Sequence, residues 1–356
     1  MTGGQIDVLV VGLGPAGSSA ALEAARRGCT VLAVDRKREP GRPVQCAEFV
    51  PAMIGVETRK LAALVRQPIR AMVTFIENDA PDVKEDFPGY MLDRTAFDAT
   101  LVASAEQVGA RCLFGAGVRS ITRNGRVEFA DGHSAVASVL VGADGPRSIV
   151  GRRIGQLNLR LIETRQITVP LRRRHEATDI FLSADIPGGY GWLFPKGDVA
   201  HVGAGVDPAH KSRLKDIVAG LHATLVESGW VGSEILGLTG GAIPAGGMLK
   251  PWGMLGDTLA LLAGDAAGLT NPVTGAGIAA AVYSGELAGQ AAAACVAGDR
   301  EAGAGFEEEL KSLFQSALDR AVERRRELAA FFRSGALPDR AALRRGWIAY
   351  PEYWAA

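Results

Sequence analysis

A glycine-rich turn near the N-terminus constrains the fold of this chain more than any other feature. The turn reads GLGPAG over residues 12–17, and it separates an apolar run at residues 7–11 from an alanine-rich run at 18–27. A second apolar run, at 29–34, ends at Asp35. This order predicts a strand, a helix and a second, parallel strand in one α/β unit. The glycines of such a turn let a phosphate group approach the helix N-terminus, where free N–H groups and the helix dipole favour anions.

The acid after the second strand indicates that the turn binds a dinucleotide. Asp35 lies about 20 residues beyond the first glycine, where a carboxylate binds the ribose hydroxyls of such a ligand. The residues expected to hold the phosphates and the ribose are Gly12, Gly14, Pro15, Ala16, Gly17, Asp35 and Arg36.

The composition excludes several classes of function. Lys+Arg and Asp+Glu both number 39, so the net charge is zero and no nucleic-acid partner is expected. The four cysteines include no CxxC pair, which predicts neither a metal site nor a disulfide framework. The first residues lack the basic segment of a signal peptide, and the apolar stretch 278–298 contains Glu286, as a buried helix does. We therefore expect a protein of the reducing cytoplasm with at most peripheral membrane contact.

The rest of the chain predicts an antiparallel sheet inserted into the α/β unit, followed by a helical tail. A loop is expected over 39–51, a helix over 95–109, and a helix from about Gly275. The runs that predict the inserted sheet are 166–171, 179–182, 190–194 and 200–206, and the runs that predict returning parallel strands are 138–141 and 258–263. Residues 306–332 predict one amphipathic helix with an apolar face of Phe306, Leu310, Leu313, Leu318, Val322 and Leu328.

Both returning strands end in glycine–aspartate motifs. The first reads GADGPRS over 142–148, and the second reads GDAAG over 264–268 and continues as NPVTGAGI over 271–278. Together with the N-terminal turn, this triple pattern resembles the FAD-dependent oxidoreductases of the para-hydroxybenzoate hydroxylase fold. The resemblance implies that Asp265 contacts the ribityl and pyrophosphate region. It also implies that the PxxGxG turn aims a helix N-terminus at the flavin N1–C2 edge, where reduced flavin carries negative charge.

Within that superfamily the chain resembles the geranylgeranyl reductase family in three features. Residues 190–195 read YGWLFP and are followed by Gly-Ala-Gly at 203–205, which is the substrate-cavity pattern of the family. Gly268 stands where aromatic hydroxylases usually have histidine. Residues 93–98 read DRTAFD and resemble a helix start whose arginine lies by the cofactor. The resemblance covers residues 7–294.

The loop 43–51, PVQCAEFVP, departs from the family pattern. Cys46 falls where the family has a cysteine in a glycine-rich loop near the flavin, but bulkier residues replace the glycines at 47–49. Cys46 is interpreted either as a catalytic residue or as a small buried apolar residue. We expect the Glu48 carboxylate to be solvated, and it could act as an acid or base if it were desolvated.

The resemblance also implies a set of cofactor contacts. Those contacts are Ala16, Asp35, Cys46, Ala47, Phe49, Arg94, Val118, Asp265, Gly277 and Ile278, and the strand-end motifs add Asp144, Pro272 and Gly275. No second glycine fingerprint follows a strand, so we expect NAD(P)H or another reductant to dock transiently as the electron donor. His175 is expected to be solvated, as are the arginines at 324–326 and 344–345, which a lipid headgroup could use.

The expected fold class is α/β, with a Rossmann-type FAD-binding domain, an inserted antiparallel-sheet substrate domain and a short helical C-terminal tail. Residues 1–70, 93–155 and 256–300 are expected to form the FAD-binding domain. Residues 71–92 and 156–255 are expected to form the substrate domain, and residues 301–356 the tail.

The expected function is FAD-dependent reduction of carbon–carbon double bonds in an isoprenoid or another small apolar substrate. Hydride would leave the non-covalently bound flavin, and a nearby acid or water would supply the proton. The expected catalytic residues are Cys46, Glu48, Tyr190 and Trp192, and the expected substrate-binding residues are Tyr190, Trp192, Phe194 and Pro195. We expect the aromatic residues of 190–194, which share one face of a strand, to look into a cleft over the flavin rather than to pack on the core.

Two alternatives remain at this point. One is a flavin monooxygenase of the same fold that hydroxylates an aromatic molecule or a protein side chain. The other is a flavin-binding protein without enzymatic activity. The cleft motifs and the aromatic strand favour an enzyme over this second alternative.

Overall fold

A computed structural model describes residues 6–52 and 64–355 of the chain. Residues 1–5 and 53–63 lie outside the described residues. The first range belongs to the segment for which no signal peptide was expected, and the second to the first expected segment of the FAD-binding domain. Within the described ranges, no helix is both long enough and apolar enough to cross a membrane.

A six-stranded sheet forms the first layer of the fold. Its strands lie in the order Trp252–Leu255, Thr258–Leu262, Ala137–Gly142, Ile6–Val11, Val31–Asp35 and Arg111–Phe114. Neighbouring strands are parallel except for the first pair. The strand Ile6–Val11 lies in the middle, and its residues 8–10 are fully buried. This position explains why the run is continuously apolar instead of alternating.

Two helices from opposite ends of the sequence pack together on this sheet. They are Pro15–Arg26 and Ile278–Val296, and their contact is made by small residues. A Cβ atom at Gly285 would lie 2.1 Å from the carbonyl oxygen of Ala16. Any side chain at this position would therefore push the two helices apart. The first helix begins at Pro15 instead of residue 18, because proline is well tolerated where the first N–H has no partner in the helix.

A seven-stranded sheet forms the second layer. Its strands lie in the order Gly237–Pro244, Leu161–Pro170, Val199–Val206, Gly191–Lys196, Ala177–Leu182, Ala71–Ile76 and Asp82–Lys84. Neighbours are antiparallel except for the pair Ala177–Leu182 and Ala71–Ile76. The inserted sheet predicted from the sequence is thus confirmed. Its outer face is covered by the helix Leu214–Glu227.

The remaining named strands form two small sheets. One contains Phe49–Pro51, Gly89–Leu92 and Val65–Ile69, and the other contains Ser134–Ala135, Val127–Phe129 and Val118–Ile121. The prediction of a loop over 39–51 is therefore wrong at its end, because Phe49–Pro51 pairs with Gly89–Leu92. The helix expected over 95–109 runs from Arg94 to Gln107, and a short helix, Ile149–Arg153, follows the GADGPRS motif.

Strand pairing differs from the expected segments at two places. Trp252–Leu255 was assigned to the inserted domain, but it pairs with Thr258–Leu262 in the six-stranded sheet. Gly89–Leu92 was assigned to the same domain as Ala71–Ile76, yet it lies in a small sheet of its own with Phe49–Pro51.

The helix predicted over 306–332 is present without a break, but its geometry changes within that range. The helices of the tail are Ala302–Leu310, Ser316–Ser334, Arg340–Arg345 and Pro351–Trp354. A π-helical turn, Lys311–Gln315, separates the first two and shifts the apolar face. Phe306, Leu310 and Leu318 are buried as predicted, whereas Leu313 is 56% exposed.

Three tail arginines, Arg324, Arg344 and Arg345, bind within the chain, so the prediction that they are solvated is wrong, whereas Arg326 is exposed as predicted. Arg324 is buried, and its guanidinium donates to the backbone carbonyls of Tyr353 and Ala355. Arg344 and Arg345 pair with carboxylates of neighbouring tail helices. These bonds hold the last helix of the tail against the helix Ser316–Ser334. The α/β class with an inserted antiparallel sheet and a helical tail is confirmed.

Candidate active site

The helix Pro15–Arg26 presents an uncapped N-terminus to open space. Its N-cap is Gly14, no side chain caps it, and no acidic residue lies in its first turn. A Cβ atom at Gly14 would meet no heavy atom within 4 Å, whereas one at Gly12 would lie 2.3 Å from the carbonyl oxygen of Ala143. The packing of the protein itself therefore requires Gly12. Gly14 keeps a space clear beside free N–H groups, and a phosphate fits that space.

Asp35 fixes the glycine turn to the end of its strand. Its Oδ2 accepts the backbone N–H of Leu13 at 2.8 Å, and its Oδ1 accepts that of Lys37 at 2.8 Å. Each carboxylate oxygen has a second lone pair, so ribose hydroxyls can still bind. Arg36, beside it, is exposed to solvent, and Val118 is half-buried at the start of its strand.

The Asp144 carboxylate accepts hydrogen bonds from its own loop. Its Oδ1 accepts the Ser148 hydroxyl at 2.5 Å, and its Oδ2 accepts the Ile149 N–H at 2.6 Å. Burial raises the pKa of Asp144, and these hydrogen bonds oppose that rise. The carboxylate therefore orders the loop GADGPRS, and a cofactor contact at this position would come from the loop backbone more readily than from the carboxylate.

Asp265 lies where the other strand-end motif meets the second long helix. Its side chain accepts the hydroxyl of Thr270, and its backbone carbonyl accepts Nδ2 of Asn158 at 2.9 Å. Burial raises the pKa of Asp265, while the Thr270 hydrogen bond and the charge of Arg94 lower it. The Arg94 guanidinium and the Asp265 carboxylate thus belong to one electrostatic cluster.

The turn after Asp265 leads into a second uncapped helix. The Asn271 side chain accepts the N–H groups of Val273 and Thr274, both at 3.0 Å, which fixes the turn around Pro272 and Gly275. The helix Ile278–Val296 follows, with Gly277 as its N-cap, no side-chain cap and no acid in its first turn. Its N-terminus can therefore stabilise negative charge on a ligand.

Arg94 and Cys46 meet at the start of the helix Arg94–Gln107. The Arg94 guanidinium pairs with both oxygens of Asp98, at 3.1 and 3.2 Å, and also contacts the Cys46 sulfur. Burial alone would lower the pKa of Arg94, but Cys46 and Asp98 raise it. Ala47 and Phe49 pack on the apolar cluster beside this pair. The structure thus brings together the loop residues that the resemblance implies.

Glu48 is buried, so the prediction of a solvated carboxylate is wrong. Its exposed fraction is 3%, and its carboxylate accepts Lys196 Nζ at 2.6 Å and His201 Nε2 at 2.8 Å. It also accepts the backbone N–H of Arg94 at 3.0 Å. Burial would raise the pKa of Glu48, but the hydrogen bonds from His201, Lys196 and Arg94 lower it. Glu48 is therefore held as a carboxylate.

The pattern YGWLFP…GxG has a packing explanation. Trp192 lies opposite Gly203 in the register of the two strands. A Cβ atom at Gly203 would lie 2.4 Å from the Trp192 ring. The glycine thus provides the space in which the indole lies flat on the neighbouring strand.

The aromatic face of this strand is closed by other parts of the chain. Trp192 and Phe194 are each 6% exposed, and Trp192 Nε1 donates to Gln166 Oε1 at 3.1 Å. The Tyr190 ring lies 4.7 Å from that of Trp347 in the tail, and its hydroxyl donates to the Thr274 carbonyl at 2.6 Å. The expected open face is therefore wrong. The aromatic face packs between the tail and the turn 271–277.

Pro195 lies apart from these aromatic residues. Strand alternation directs it to the face opposite Phe194, so the two cannot line one site together. Leu193, on the same side as Pro195, packs in the aliphatic cluster of the helix Leu214–Glu227.

Two functional candidates were missed from the sequence. They are His201 and Lys196, and neither was predicted as a site residue. Continuing the alternation of the strand past Pro195 would have placed Lys196 on the face of Trp192. Pairing that strand with the next one would have brought in His201, which lies opposite Phe194.

His175 is largely covered, with 12% of its side chain exposed, so the prediction of a solvated ring is wrong. Its Nε2 lies 2.7 Å from Asp179 Oδ1, and its ring centroid lies 4.9 Å from that of Trp230, with the two rings tilted by 56°. It lies on the face of the sheet that is turned away from Trp192, since Asp179 is opposite Leu193 in the strand register.

Two uncapped helix N-termini and carboxylates at three strand ends define the class of FAD-dependent α/β oxidoreductases. A family model described as an FAD binding domain matches residues 5–169. Digeranylgeranylglycerophospholipid reductase 2 of Methanopyrus kandleri is 35% identical over 321 residues, which cover 83% of this chain and 78% of that protein. The chain belongs to the geranylgeranyl reductase family of FAD-dependent oxidoreductases.

Solved structures agree with this placement. A geranylgeranyl bacteriochlorophyll reductase-like protein from Thermoplasma acidophilum has a TM-score of 0.80 at 26% identity, over 92% of this chain and 88% of that one. A probable FAD-dependent monooxygenase from Pseudomonas aeruginosa has a TM-score of 0.71 at 18% identity, over 96% of this chain and 98% of that one. The second likeness shows a shared fold and no shared activity.

Proposed function

We propose that this chain reduces carbon–carbon double bonds in the isoprenoid chains of a lipid. The relative from Methanopyrus kandleri is named as a reductase of digeranylgeranylglycerophospholipid, a lipid with unsaturated prenyl chains. The observation that carries the proposal is the aromatic face of Tyr190, Trp192 and Phe194, which is tied to the turn 271–277 by the Tyr190–Thr274 hydrogen bond. Trp347 of the tail covers this apolar face, so the tail has to move aside before a prenyl chain can bind there and leave water.

FAD fits the two uncapped helix N-termini. In this proposal the free N–H groups of Ala16 and Gly17, beside the space at Gly14, bind the pyrophosphate, and Asp35 binds the adenosine ribose. The further contacts proposed for the cofactor come from Cys46, Ala47, Phe49, Arg94, Val118, Asp265, Pro272, Gly275, Gly277 and Ile278. When bound, FAD supplies the hydride of the reaction.

The proton of the reduction needs a donor near the aromatic face. Hydride adds to one carbon of the double bond, and a proton must reach the other. Burial and the neighbouring Cys46 raise the pKa of Tyr190, so its hydroxyl stays protonated at neutral pH. We propose the Tyr190 hydroxyl and the Cys46 thiol as the two protein groups that can supply this proton, with water restoring it afterwards.

The electron donor and the place of action are also proposals. NAD(P)H or another reductant docks transiently at the flavin, because the sequence contains no second glycine fingerprint after a strand. The protein works in the cytoplasm and touches the membrane at most peripherally, where a phospholipid substrate would be found.

Mass spectrometry of the lipid product tests the activity. FAD-loaded protein is reduced and mixed with a geranylgeranyl phospholipid in detergent, and the molecular mass of the lipid is then measured. We expect a gain of two hydrogen atoms per double bond. An unchanged lipid, together with a long-lived flavin–oxygen adduct when the reduced protein meets oxygen, would instead support the monooxygenase.

FAD retention tests the proposed cofactor site. Asp265→Ala removes a buried acceptor, and we expect it to weaken FAD binding by about 1.5–3 kcal/mol, roughly 10- to 100-fold in Kd. Fluorescence titration of the FAD-free protein measures this change. Asp257→Ala, at an exposed turn of the same sheet, is the control and should bind FAD normally. Equal affinities in the two variants would remove Asp265 from the site.

A further inference from the structure

The sheet face that bears Trp192 has a polar end. Alternation along the strand Gly191–Lys196 places Lys196 beside Phe194 on this face. His201 lies opposite Phe194 on the next strand, and Thr168 lies opposite His201 on the strand after that. The Thr168 hydroxyl is 3.2 Å from His201 Nδ1. Three strands thus contribute one polar row next to the aromatic residues.

The side chain of Glu48 fastens the loop that carries Cys46 to this row, and the sheet residues Gln166 and Thr239 also donate to the Cys46 and Val44 carbonyls, at 3.3 and 2.8 Å. The carboxylate of Glu48 binds Lys196 and His201 on the sheet and the backbone N–H of Arg94 at the start of a helix. Glu48 joins three separate elements, and each contact is a charge-assisted hydrogen bond.

The backbone of Glu48 acts on Cys46 directly. Its φ angle is +65°, in the left-handed region where residues other than glycine are uncommon. In this conformation its N–H donates to the Cys46 sulfur at 3.2 Å. The side-chain contacts of Glu48 offset the cost of this conformation, so the same residue both turns the chain and holds the turn in place.

Several charged groups surround this cluster and Arg94. Glu48 faces Lys196 and His201 from the sheet and the backbone N–H of Arg94 at the helix start, with Cys46 on its own loop. Beyond these, Asp93 acts on Lys196, and Asp98 and Asp265 act on Arg94. Removing one charge of the cluster therefore changes the electrostatic potential around Arg94.

We propose that Glu48, Lys196 and His201 are positioning residues for the flavin site. They fasten the Cys46–Arg94 pair to the sheet and set the local charge at the cofactor. The proposal rests on the proposed function, because it assumes that this pair lies beside FAD. It does not depend on the substrate.

The flavin midpoint potential tests the charge of the cluster without any substrate. Glu48→Gln removes a negative charge, so the reduced, negatively charged flavin is stabilised and the potential should shift positive. Lys196→Met removes a positive charge, so the potential should shift negative. Asp179→Asn is the matched control, because it also changes a buried acid that is paired with a histidine, on the opposite face of the same sheet. It should leave the potential unchanged.

Opposite signs for the two variants distinguish this proposal from simple damage to the fold. Shifts of the same sign, or no shift in either variant, would overturn it. Lys196 keeps 19% of its side chain exposed, so Lys196→Met can be measured even if Glu48→Gln does not fold. If the two variants show opposite shifts but the protein reduces no lipid, the proposed activity is wrong and the role of the cluster at the flavin site still holds.

Replacing Glu48 by glycine tests whether its side chain holds the Cys46 loop on the sheet. Glu48→Gly allows the left-handed backbone conformation but lacks the three anchoring contacts. We expect FAD to bind at least several-fold more weakly, and Cys46 to be alkylated several-fold faster in the FAD-free protein, as read by peptide mass spectrometry. Wild-type values for both would show that only the backbone conformation matters, and would overturn the positioning role.

Discussion

The two faces of the seven-stranded sheet are built from the same strands and have different chemistry. One face carries aromatic rings and a polar row, and it packs on the Cys46 loop, the turn 271–277 and the tail. The other face carries aliphatic residues that pack on the helix Leu214–Glu227. Each face also buries one acid–histidine pair, Glu48–His201 on the first and His175–Asp179 on the second.

The two pairs differ in how many donors reach the carboxylate. Glu48 receives hydrogen bonds from His201, Lys196 and a backbone N–H, and its pKa is lowered despite burial. For Asp179 burial dominates, His175 is the one donor in the described part of the chain, and the pKa is raised. A buried acid–histidine pair is therefore not by itself a charged centre. The number of additional hydrogen-bond donors decides whether the carboxylate of such a pair is held in its charged form.

Truncating a large side chain on each face should have the largest effect. Trp192→Ala should lower the free energy of unfolding by about 3–5 kcal/mol and Leu193→Ala by about 2–5 kcal/mol, because both side chains are buried. Urea denaturation measures both. Only Trp192→Ala should also impair turnover in protein that still retains FAD, since Leu193 faces the helix. Equal loss of turnover in both variants would mean that the two faces do not differ in function.

Acid titration of stability should separate the two acid–histidine pairs. The pKa of Glu48 is below its ordinary value of 4.5, so its contribution is complete above that pH and is lost as the pH falls through the folded-state pKa. The pKa of Asp179 is above its ordinary value of 3.8, so its contribution is present below that pH and is lost as the pH rises. Glu48→Gln should therefore lose about 2 kcal/mol at neutral pH.

Asp179→Asn should lose little stability at neutral pH, because the asparagine avoids the cost of a buried charge. Melting temperatures of both variants between pH 3 and pH 7 give the comparison. A penalty for Asp179→Asn at pH 7 as large as that for Glu48→Gln would contradict the assigned difference.

The smallest expected effect concerns the hydrogen bond within the polar row. Thr168→Val keeps the shape of the side chain and removes the hydroxyl next to His201 Nδ1, which should cost about 1 kcal/mol of stability. Chemical denaturation at pH 7 measures the loss. If the row only fills space, the valine variant should instead be as stable as the wild type.

The motifs that follow strands were sufficient to predict the nucleotide-binding layer. Each glycine motif comes directly after a buried strand, and the carboxyl ends of parallel strands meet at one edge of a sheet. The residues 12–17, 142–148 and 264–268 therefore had to lie near one another. The alternation of the inserted strand likewise predicted that Tyr190, Trp192 and Phe194 share one face, and the structure confirms this, although that face is closed instead of open.

The burial of Glu48 could not be predicted in the same way. Its partners Arg94, Lys196 and His201 lie 46, 148 and 153 residues further along the chain, so no local pattern contains the cluster. Arg324 was missed for a related reason. Its acceptors are backbone carbonyls, which every residue has, and composition gives no sign of them. The closure of the aromatic face by Trp347 depends on how the tail folds back, which the π-helical turn changes.

The packing of Gly285 against the carbonyl of Ala16 has a consequence for how the protein is made. The helix Pro15–Arg26 leaves the ribosome early, and its partner Ile278–Val296 follows only after the whole inserted sheet has been translated. Contacts between such distant segments form late and slowly. We therefore expect newly synthesised chains to acquire FAD only near the end of translation, and a ribosome-bound chain stalled before residue 278 that already retained FAD would contradict this order.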